Sequence, residues 1–168
     1  ETIGATLVND PRVAGVAFTG STEVARTIQR QLAAREGAIP VFIAETGGQN
    51  LMVVDSSALP EQVVGDVLAS SFNSAGQRCS ALRVLCLQED IADRVLHLLR
   101  GAMDELTIGL PEDWSTDIGP VIDETARDQL EAYASRVQTG AVWTHRCGLP
   151  KSLAMYGCYV APLAVEIP

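Results

Sequence analysis

Short apolar runs alternate with amphipathic stretches along most of this chain. Apolar runs of strand length occupy residues 13–18, 40–44, 51–54 and 82–87. Between them, apolar residues recur every three or four positions, which is the spacing of a helix with one buried face. Strands that alternate with helices indicate an α/β domain with a largely parallel sheet.

The same spacing predicts where the helices begin and end. One helix follows residue 21 and stops by Gly37, and another begins at Pro60, a residue that the first helical turn tolerates. A third covers residues 91–103 and a fourth covers residues 123–138, with Gly140 as its stop. The residues of the fourth helix predicted to face inward are Ala126, Leu130, Tyr133 and Val137.

The last part of the chain is less regular. Residues 141–155 carry Gly, Pro and the rings of Trp143 and His145 without either period, and they are predicted to form a surface loop. Residues 158–168 are predicted to form a final strand that ends at Pro168.

Composition excludes several classes of function. The chain has 168 residues, with 21 Asp and Glu against 12 Lys and Arg, for a net charge of −9. This acidic balance without a basic patch argues against nucleic-acid binding. The apolar runs are far shorter than the ~20 residues that cross a bilayer, so no transmembrane segment is predicted. The chain starts without Met or a signal sequence, and its four cysteines fit reduced thiols. We therefore expect a fragment of a longer cytoplasmic protein.

A turn between the first strand and the first helix offers a candidate anion site. Thr19, Gly20 and Ser21 follow the strand directly, and the helix N-terminus behind them presents backbone N–H groups. Neither GxGxxG nor GxxxxGK[ST] is present, so this signal is weak by itself. Ser21 acting only as a helix N-cap is the simpler interpretation.

Cys79 is the candidate nucleophile among the four thiols. It lies in a glycine-containing loop between a helix and a strand, and the neighbouring Arg78 guanidinium would favour thiolate over thiol. Cys86 and Cys158 lie in apolar runs and are predicted to be inert core residues. Cys147 lies in the irregular stretch beside His145.

Glu45 is the matching candidate base. It ends an apolar strand and is followed by Thr46, Gly47 and Gly48, and ligands of open α/β sheets bind beyond the carboxyl ends of strands. A solvated strand end is the alternative. His97 and His145 match no Cys-His motif, and no Cys or His pair has metal-ligand spacing, so a metal site is not predicted.

Three motifs in register carry a family resemblance. They are FTGSTEV at residues 18–24, ETGGQN at residues 45–50 and GQRC at residues 76–79, and IGPVI at 118–122 and YVAP at 159–162 extend the match. Together they resemble the aldehyde dehydrogenase superfamily over nearly the whole chain. The longer sequence segments around these motifs are similar to one branch of the superfamily. That branch is the glutamate-semialdehyde (pyrroline-5-carboxylate) dehydrogenase domain of bacterial bifunctional proline utilization A flavoenzymes.

The resemblance implies an NAD-dependent oxidation of glutamate semialdehyde to glutamate. Cys79 would attack the aldehyde and Glu45 would activate water to hydrolyse the resulting thioester. It also implies that Ser80 binds the substrate carboxylate, with Arg78 either assisting or only supporting the loop. The residues implied to bind the cofactor are Thr19, Gly20, Ser21, Val24 and Gly47.

The resemblance further implies a division of the chain. Residues 1–47 would be the C-terminal part of an NAD-binding, Rossmann-like domain, and residues 48–168 the N-terminal part of the catalytic domain. Other cofactor and substrate groups of the family, including the oxyanion-hole Asn, match nothing in this chain, so we expect these residues alone to be inactive. FAD would belong to a separate domain of the full-length protein, which is implied to form homo-oligomers.

Two alternatives stay open at this point. The substrate is another aldehyde if the carboxylate-binding role of Ser80 does not hold. The chain is a non-catalytic nucleotide-binding or oligomerization module if Cys79 and Glu45 are not used.

Overall fold

The computed structural model describes residues 2–168, which divide into two compact units, residues 2–48 and Gln49–Pro168. The first unit contains α1 (Thr2–Asn9), β1 (Gly15–Thr19), α2 (Thr22–Ala33) and β2 (Val41–Glu45). The second contains β3 (Asn50–Val54), α3 (Pro60–Phe72), β4 (Leu82–Leu87), α4 (Glu89–Asp104), α5 (Glu124–Gln138), β5 (Trp143–Arg146), α6 (Lys151–Tyr156) and β6 (Leu163–Glu166). Across residues 2–168, no helix combines the length and apolar character that a bilayer span requires.

A parallel strand pair organises the first unit. β1 and β2 align over all five residues, and Thr19 and Glu45 are partners at the end of the register. α2 makes the connection between the strands, and its buried Ala25 and Leu32, together with Val8 of α1, form a small core. Because the strands are parallel, Thr19 and Glu45 lie at the same edge of the sheet.

A second parallel pair organises the larger unit. β3 and β4 pair from Asn50 opposite Leu82 to Val54 opposite Leu87, with one register shift after Asn50. α3 connects the two strands, and α4 packs against α3. Val95 and Met103 of α4 have 0% of their surface exposed, and burying a side chain of this kind contributes about 1.5–3 kcal/mol. The buried core of this unit comprises Val54, Val63, Val64, Val67, Leu82, Ile91, Val95, Leu99, Met103, Ile108, Ile118, Cys147, Tyr159 and Ala161.

The connection from α3 to β4 contains an unusual backbone segment. Three residues in succession have positive φ, namely Ser74 at 58°, Ala75 at 52° and Gly76 at 67°. For residues with a Cβ atom this left-handed conformation costs about 1–2 kcal/mol each. The segment reverses the chain within one turn after Phe72 and delivers it to residues 77–81 and then to β4.

The strand and helix predictions are confirmed for most of the chain. Pro60 occupies the first turn of α3, Asp123 caps α5 by accepting a hydrogen bond from the Ala126 N–H at 2.7 Å, and Gly140 has a φ of 95° just beyond α5. Two of the three strand pairs are parallel, as expected. α1 was not predicted.

The predicted surface loop over residues 141–155 is wrong. This stretch contains β5 and the start of α6, and β5 pairs antiparallel with β6 from Trp143 opposite Glu166 to Arg146 opposite Leu163. The strand was not apparent because its polar and charged residues obscure the apolar alternation. Its partner lies about 20 residues away in sequence, which a local pattern does not reveal.

The predicted inward face of α5 is also partly wrong. Leu130 and Tyr133 are 39% and 52% exposed, and Ala134 is the buried residue of this helix. The Tyr133 ring lies under the Arg136 guanidinium, with 5.1 Å between the guanidinium carbon and the ring centroid. The helical spacing of apolar residues therefore predicted the helix, but Tyr133 contacts a neighbouring cation and does not pack into the core.

Substitution of Gly76 is expected to destabilise the protein through backbone geometry. A Cβ atom at Gly76 would lie 2.7 Å from the Ser71 carbonyl oxygen, and its φ is already in the left-handed region. Gly76→Ala should lower the free energy of unfolding by at least about 2 kcal/mol, measured by urea unfolding followed by circular dichroism. Gly65→Ala is the control, because Gly65 lies in α3 and a Cβ atom there would have no neighbour within 4 Å, and it should stabilise by about 0.5–1 kcal/mol. Equal shifts in the two variants would contradict this account.

Candidate active site

The edge of the first unit brings four of the predicted site residues together. Thr19 and Glu45 end β1 and β2 as register partners, and the Gly20 N–H donates a hydrogen bond of 3.1 Å to the Glu45 carbonyl oxygen. Ser21 follows directly. The side chain of Glu45 is exposed at this edge, in the place that ligands of parallel sheets occupy.

Ser21 is the N-cap of α2. Its hydroxyl accepts a hydrogen bond from the Val24 N–H at 3.2 Å, and its backbone is extended with φ −70° and ψ 146°. Val24 is 47% exposed, so the first turn of the helix is open to solvent. Capping is therefore present, and the exposed helix N-terminus is also a favourable place for an anion.

The two glycines predicted to face the cofactor differ in what surrounds them. A Cβ atom at Gly20 would lie 2.5 Å from the Phe18 ring, so internal packing already favours glycine there. At Gly47, apart from Gly47 itself and its two chain neighbours, no described residue places an atom within 4 Å of such a Cβ position. The space at Gly47 is thus not taken up by the protein's own side chains.

The nucleophile turn, defined as residues 76–81, carries the second group of predicted residues. Cys79 and Ser80 are its central residues, and it is closed by a hydrogen bond of 3.1 Å from the Ala81 N–H to the Arg78 carbonyl oxygen. Cys79 and Ser80 are both exposed. Within residues 2–168, the Cys79 N–H has no hydrogen-bond acceptor.

Arg78 is anchored to a helix. Its guanidinium donates a hydrogen bond of 3.0 Å to the Ala69 carbonyl oxygen in the last turns of α3. This contact fits the loop-supporting role considered for Arg78. Its predicted effect on the Cys79 thiolate stays a prediction.

Three further side chains hold the nucleophile turn, and sequence reasoning gave none of them a role. Asn50 donates from Nδ2 to the Cys79 and Ala81 carbonyl oxygens at 2.7 and 2.9 Å. Arg83 donates to the Gly76 carbonyl oxygen. Asn50 closes the ETGGQN motif, so its position within a motif was the available signal, but its contacts reach 29 and 31 residues along the chain.

Gln77, the third of these side chains, connects the nucleophile turn to the IGPVI motif. Its Oε1 accepts a hydrogen bond from the Ile122 N–H at 2.8 Å, and its Nε2 lies 3.4 Å from the Pro120 carbonyl oxygen. The Val121 N–H in turn donates to the Cys158 carbonyl oxygen at 2.8 Å. The segments that carry the last two sequence motifs therefore support the turn that carries Cys79.

Neither Cys86 nor Cys158, the two thiols predicted to be core residues, is fully buried. Cys86 is exposed, not part of the core, because its side chain lies on the same outward sheet face as Leu51, Val53 and Val84. Cys158 is half-buried and Cys147 is buried. Burial, with a smaller effect from the Asp104 carboxylate, raises the pKa of the Cys147 thiol to about 11.

His145 has a structural partner. Its Nε2 lies 2.9 Å from the Asp104 Oδ1, and its ring stacks on Trp143 with 6.1 Å between ring centroids. The two atoms lie close together without the angle of a directed hydrogen bond. In the part of the chain that the structure describes, no group of three or more His, Cys, Asp and Glu side chains could hold a metal ion.

Comparison with known proteins identifies the family. Residues 1–166 match the aldehyde dehydrogenase family. The chain belongs to this family. Among its relatives, the Bifunctional protein PutA of Klebsiella aerogenes is 51% identical over 174 residues, covering 99% of this chain and 13% of that protein. The chain thus spans a small part of the length of this relative.

Solved structures of similar proteins agree with this assignment. A proline utilization A (PutA) variant from Bradyrhizobium japonicum has a TM-score of 0.90 and 52% identity, covering 99% of this chain and 17% of that one. A 1-pyrroline-5-carboxylate dehydrogenase from Thermus with bound NAD has a TM-score of 0.84 and 26% identity, covering 99% of this chain and 32% of that one. The aldehyde dehydrogenase-like fold is therefore confirmed.

Cys79 and Cys147 are expected to differ in their reactivity with iodoacetamide. Cys79 is exposed, whereas the Cys147 pKa of about 11 leaves very little thiolate at pH 8. Peptide-resolved alkylation at pH 8 should label Cys79 at least about tenfold faster than Cys147.

Raising the pH tests the cause of this difference. A folded-state pKa of about 11 lies above the ordinary value of 9.0, so the folded protein holds this proton more tightly than the unfolded chain. The contribution of Cys147 to the free energy of unfolding is then fully present below pH 9 and falls as the pH rises toward 11. Between pH 9 and pH 11, the unfolding midpoint of Cys147→Ala should fall by less than that of the unmodified protein. Equal decreases in the two proteins would contradict the raised pKa of Cys147.

Proposed function

We propose that this chain is part of an NAD-dependent aldehyde dehydrogenase that oxidises L-glutamate γ-semialdehyde to L-glutamate in proline catabolism. One observation carries the proposal, namely an exposed Cys79 on a tight, side-chain-anchored turn in an aldehyde dehydrogenase family chain. The 51% identity to the Klebsiella aerogenes Bifunctional protein PutA supports the proline-pathway substrate.

Cys79 and Glu45 divide the chemistry between them. The Cys79 thiolate attacks the aldehyde carbon and forms a thiohemiacetal, and oxidation of that adduct leaves a thioester on the same sulfur. Glu45 takes a proton from water, the water oxygen adds to the thioester carbon, and the carbon–sulfur bond breaks to release glutamate. The Cys79 N–H, which lacks an acceptor among the described residues, is available to the developing oxyanion. Such a donor is worth about 2.7–4 kcal/mol.

The cofactor residues fit a dinucleotide on grounds of space and charge. Ser21 and the exposed first turn of α2 offer N–H groups to a pyrophosphate, with Thr19, Gly20 and Val24 beside them. Open space at Gly47 leaves room for a flat ring. When bound, the nicotinamide of NAD accepts the two electrons of the oxidation.

The assignment of substrate contacts follows the same geometry. Ser80 is exposed next to Cys79 in the nucleophile turn, and we assign its hydroxyl to the substrate carboxylate. Arg78 is assigned to support of the turn, because its guanidinium is engaged by the Ala69 carbonyl oxygen. The two parts of the chain are assigned as cofactor-binding for residues 1–47 and catalytic for residues 48–168. The compact units divide after Gly48, which supports this assignment.

Formation of NADH by the full-length polypeptide that carries these residues tests the reaction. We expect activity on glutamate semialdehyde, a lower rate with an uncharged short aldehyde, and no activity in Cys79→Ser. Glu45→Gln should form about one NADH per site and then stall, because the thioester forms but is not hydrolysed. The 168 residues alone are expected to form no NADH.

Each result of this assay has a distinct meaning. Preference for the uncharged aldehyde would keep the family chemistry and reject the proline-pathway substrate. Inactivity toward both aldehydes would favour a non-catalytic module. Steady turnover by Glu45→Gln would remove Glu45 from the role of base.

Two substitutions of Ser21 separate helix capping from cofactor binding. Ser21→Ala removes the cap and should cost about 0.5–2 kcal/mol of stability. Ser21→Asp keeps a capping acceptor and adds a charge that the helix N-terminus favours, so stability should be retained. The same carboxylate repels a pyrophosphate, so the KM for NAD should rise at least about tenfold in Ser21→Asp.

Thermal unfolding and NAD titration of the same preparations decide between the roles. An unchanged KM for NAD in Ser21→Asp would leave Ser21 as a cap without a cofactor role.

A further inference from the structure

Asn50 lies where β3 and β4 begin, beside the nucleophile turn. It is the first residue of β3 and pairs with Leu82, the first residue of β4. Its carboxamide nitrogen donates to two carbonyl oxygens, that of Cys79 at 2.7 Å and that of Ala81 at 2.9 Å. Both hydrogens of one amide group therefore bind the same turn.

The backbone ladder alone does not hold this turn. The register between the strands shifts between Asn50 and Leu51, and the chain before Leu82 turns away at Cys79 and Ser80. The Cys79 carbonyl oxygen lies before β4 begins at Leu82, and the Asn50 side-chain amide supplies a donor to it there. Asn50 thus continues the β3 to β4 pairing past the place where the backbone stops.

Among the side chains that hold the turn, Asn50 binds the nucleophile's own peptide group. Arg83 donates to the Gly76 carbonyl oxygen, and Gln77 binds residues 120 and 122. A hydrogen bond to the Cys79 carbonyl oxygen restrains the peptide plane between Cys79 and Ser80. That restraint limits the directions available to the Cys79 Cα–Cβ bond.

We propose that Asn50 is a positioning residue that fixes the orientation of Cys79 for attack on the aldehyde. The inference rests on the proposed function for its catalytic consequence. Asn50 acts through the Cys79 carbonyl and not through contact with substrate. Its amide is neutral, so it orders the turn without placing a charge beside the thiol.

The test removes the two donors without changing the size of the side chain. Asn50→Leu in the full-length polypeptide is nearly isosteric and has no donor. The matched control is Gln88→Leu, because the Gln88 Oε1 accepts a hydrogen bond from the Ser56 N–H at 2.9 Å at the opposite end of the β3 and β4 pair. Both variants lose one bridging carboxamide from the same sheet.

Both substitutions are placed in a Glu45→Gln background, where each competent site is expected to form one NADH from glutamate semialdehyde. The amplitude then counts competent sites and the rate constant reports the chemistry at each. Asn50→Leu should lower the rate constant at least about tenfold with unchanged amplitude and KM for NAD. In Gln88→Leu, the rate constant should stay within about twofold of that in the Glu45→Gln protein without a second substitution.

Loss of amplitude at an unchanged rate constant would assign Asn50 a purely structural role and overturn the proposal. Equal losses of rate in Asn50→Leu and Gln88→Leu would do the same. If Asn50→Leu fails to fold, Asn50→Ser, which keeps one shorter donor, is judged by the same criteria.

Amide hydrogen exchange separates this inference from the proposed function. The Ala81 N–H closes the nucleophile turn, so its exchange should be at least about tenfold faster in Asn50→Leu and unchanged in Gln88→Leu. If the unsubstituted protein forms no NADH, the proposed function fails, and faster exchange still supports Asn50 as the residue that holds Cys79. Unchanged exchange would reject Asn50 in either case.

Discussion

The left-handed run at Ser74, Ala75 and Gly76 is the constraint on which the second unit depends. α3 and β4 must connect closely enough for β4 to pair with β3, and the chain reverses through three successive residues of positive φ to achieve this. Two of these residues carry a Cβ atom, so the conformation is maintained by its surroundings. Those surroundings include the Arg83 guanidinium on the Gly76 carbonyl oxygen and the Gln77 contacts to residues 120 and 122.

Local backbone strain and an anchored turn are therefore adjacent in the sequence. The strained residues end where the nucleophile turn begins, and the turn projects Cys79 and Ser80 into solvent. The core of the second unit lies behind it, formed by α3, α4 and the inner face of β3 and β4. The chain thus places Cys79 on a segment whose backbone has little freedom, an arrangement that favours defined geometry over adaptability.

Sequence reasoning predicted the elements with strong local signals. α2 and α4 have clear helical periods, and the apolar runs of β1 to β4 lie within two residues of their observed positions. Thr19, Gly20, Ser21 and Glu45 meet at one edge because parallel strands share the direction of their carboxyl ends. Cys79 was singled out by its loop, and the loop is present.

What sequence reasoning missed depends on contacts between distant residues. β5 is short and polar, and it forms a strand because it pairs with β6. Cys86 lies on the outward face of its sheet, and a run of apolar residues does not show which of its side chains face outward. Tyr133 continues a helical stripe but packs under Arg136. Asn50 and Gln77 look like ordinary polar residues until the structure places carbonyl and N–H groups of remote segments beside them.

The exposure of Cys79 and Cys86 has a consequence for handling and for oxidative damage. An exposed thiol is open to peroxide, which converts a thiolate to sulfenic acid and then to forms that thiols do not restore. Cys86 adds a second exposed sulfur on an apolar face of this chain, where a mixed disulfide would place a polar adduct. Cys147, by contrast, is shielded by burial. Two sulfurs are therefore exposed to an oxidant in a preparation, and only one of them is assigned to the reaction.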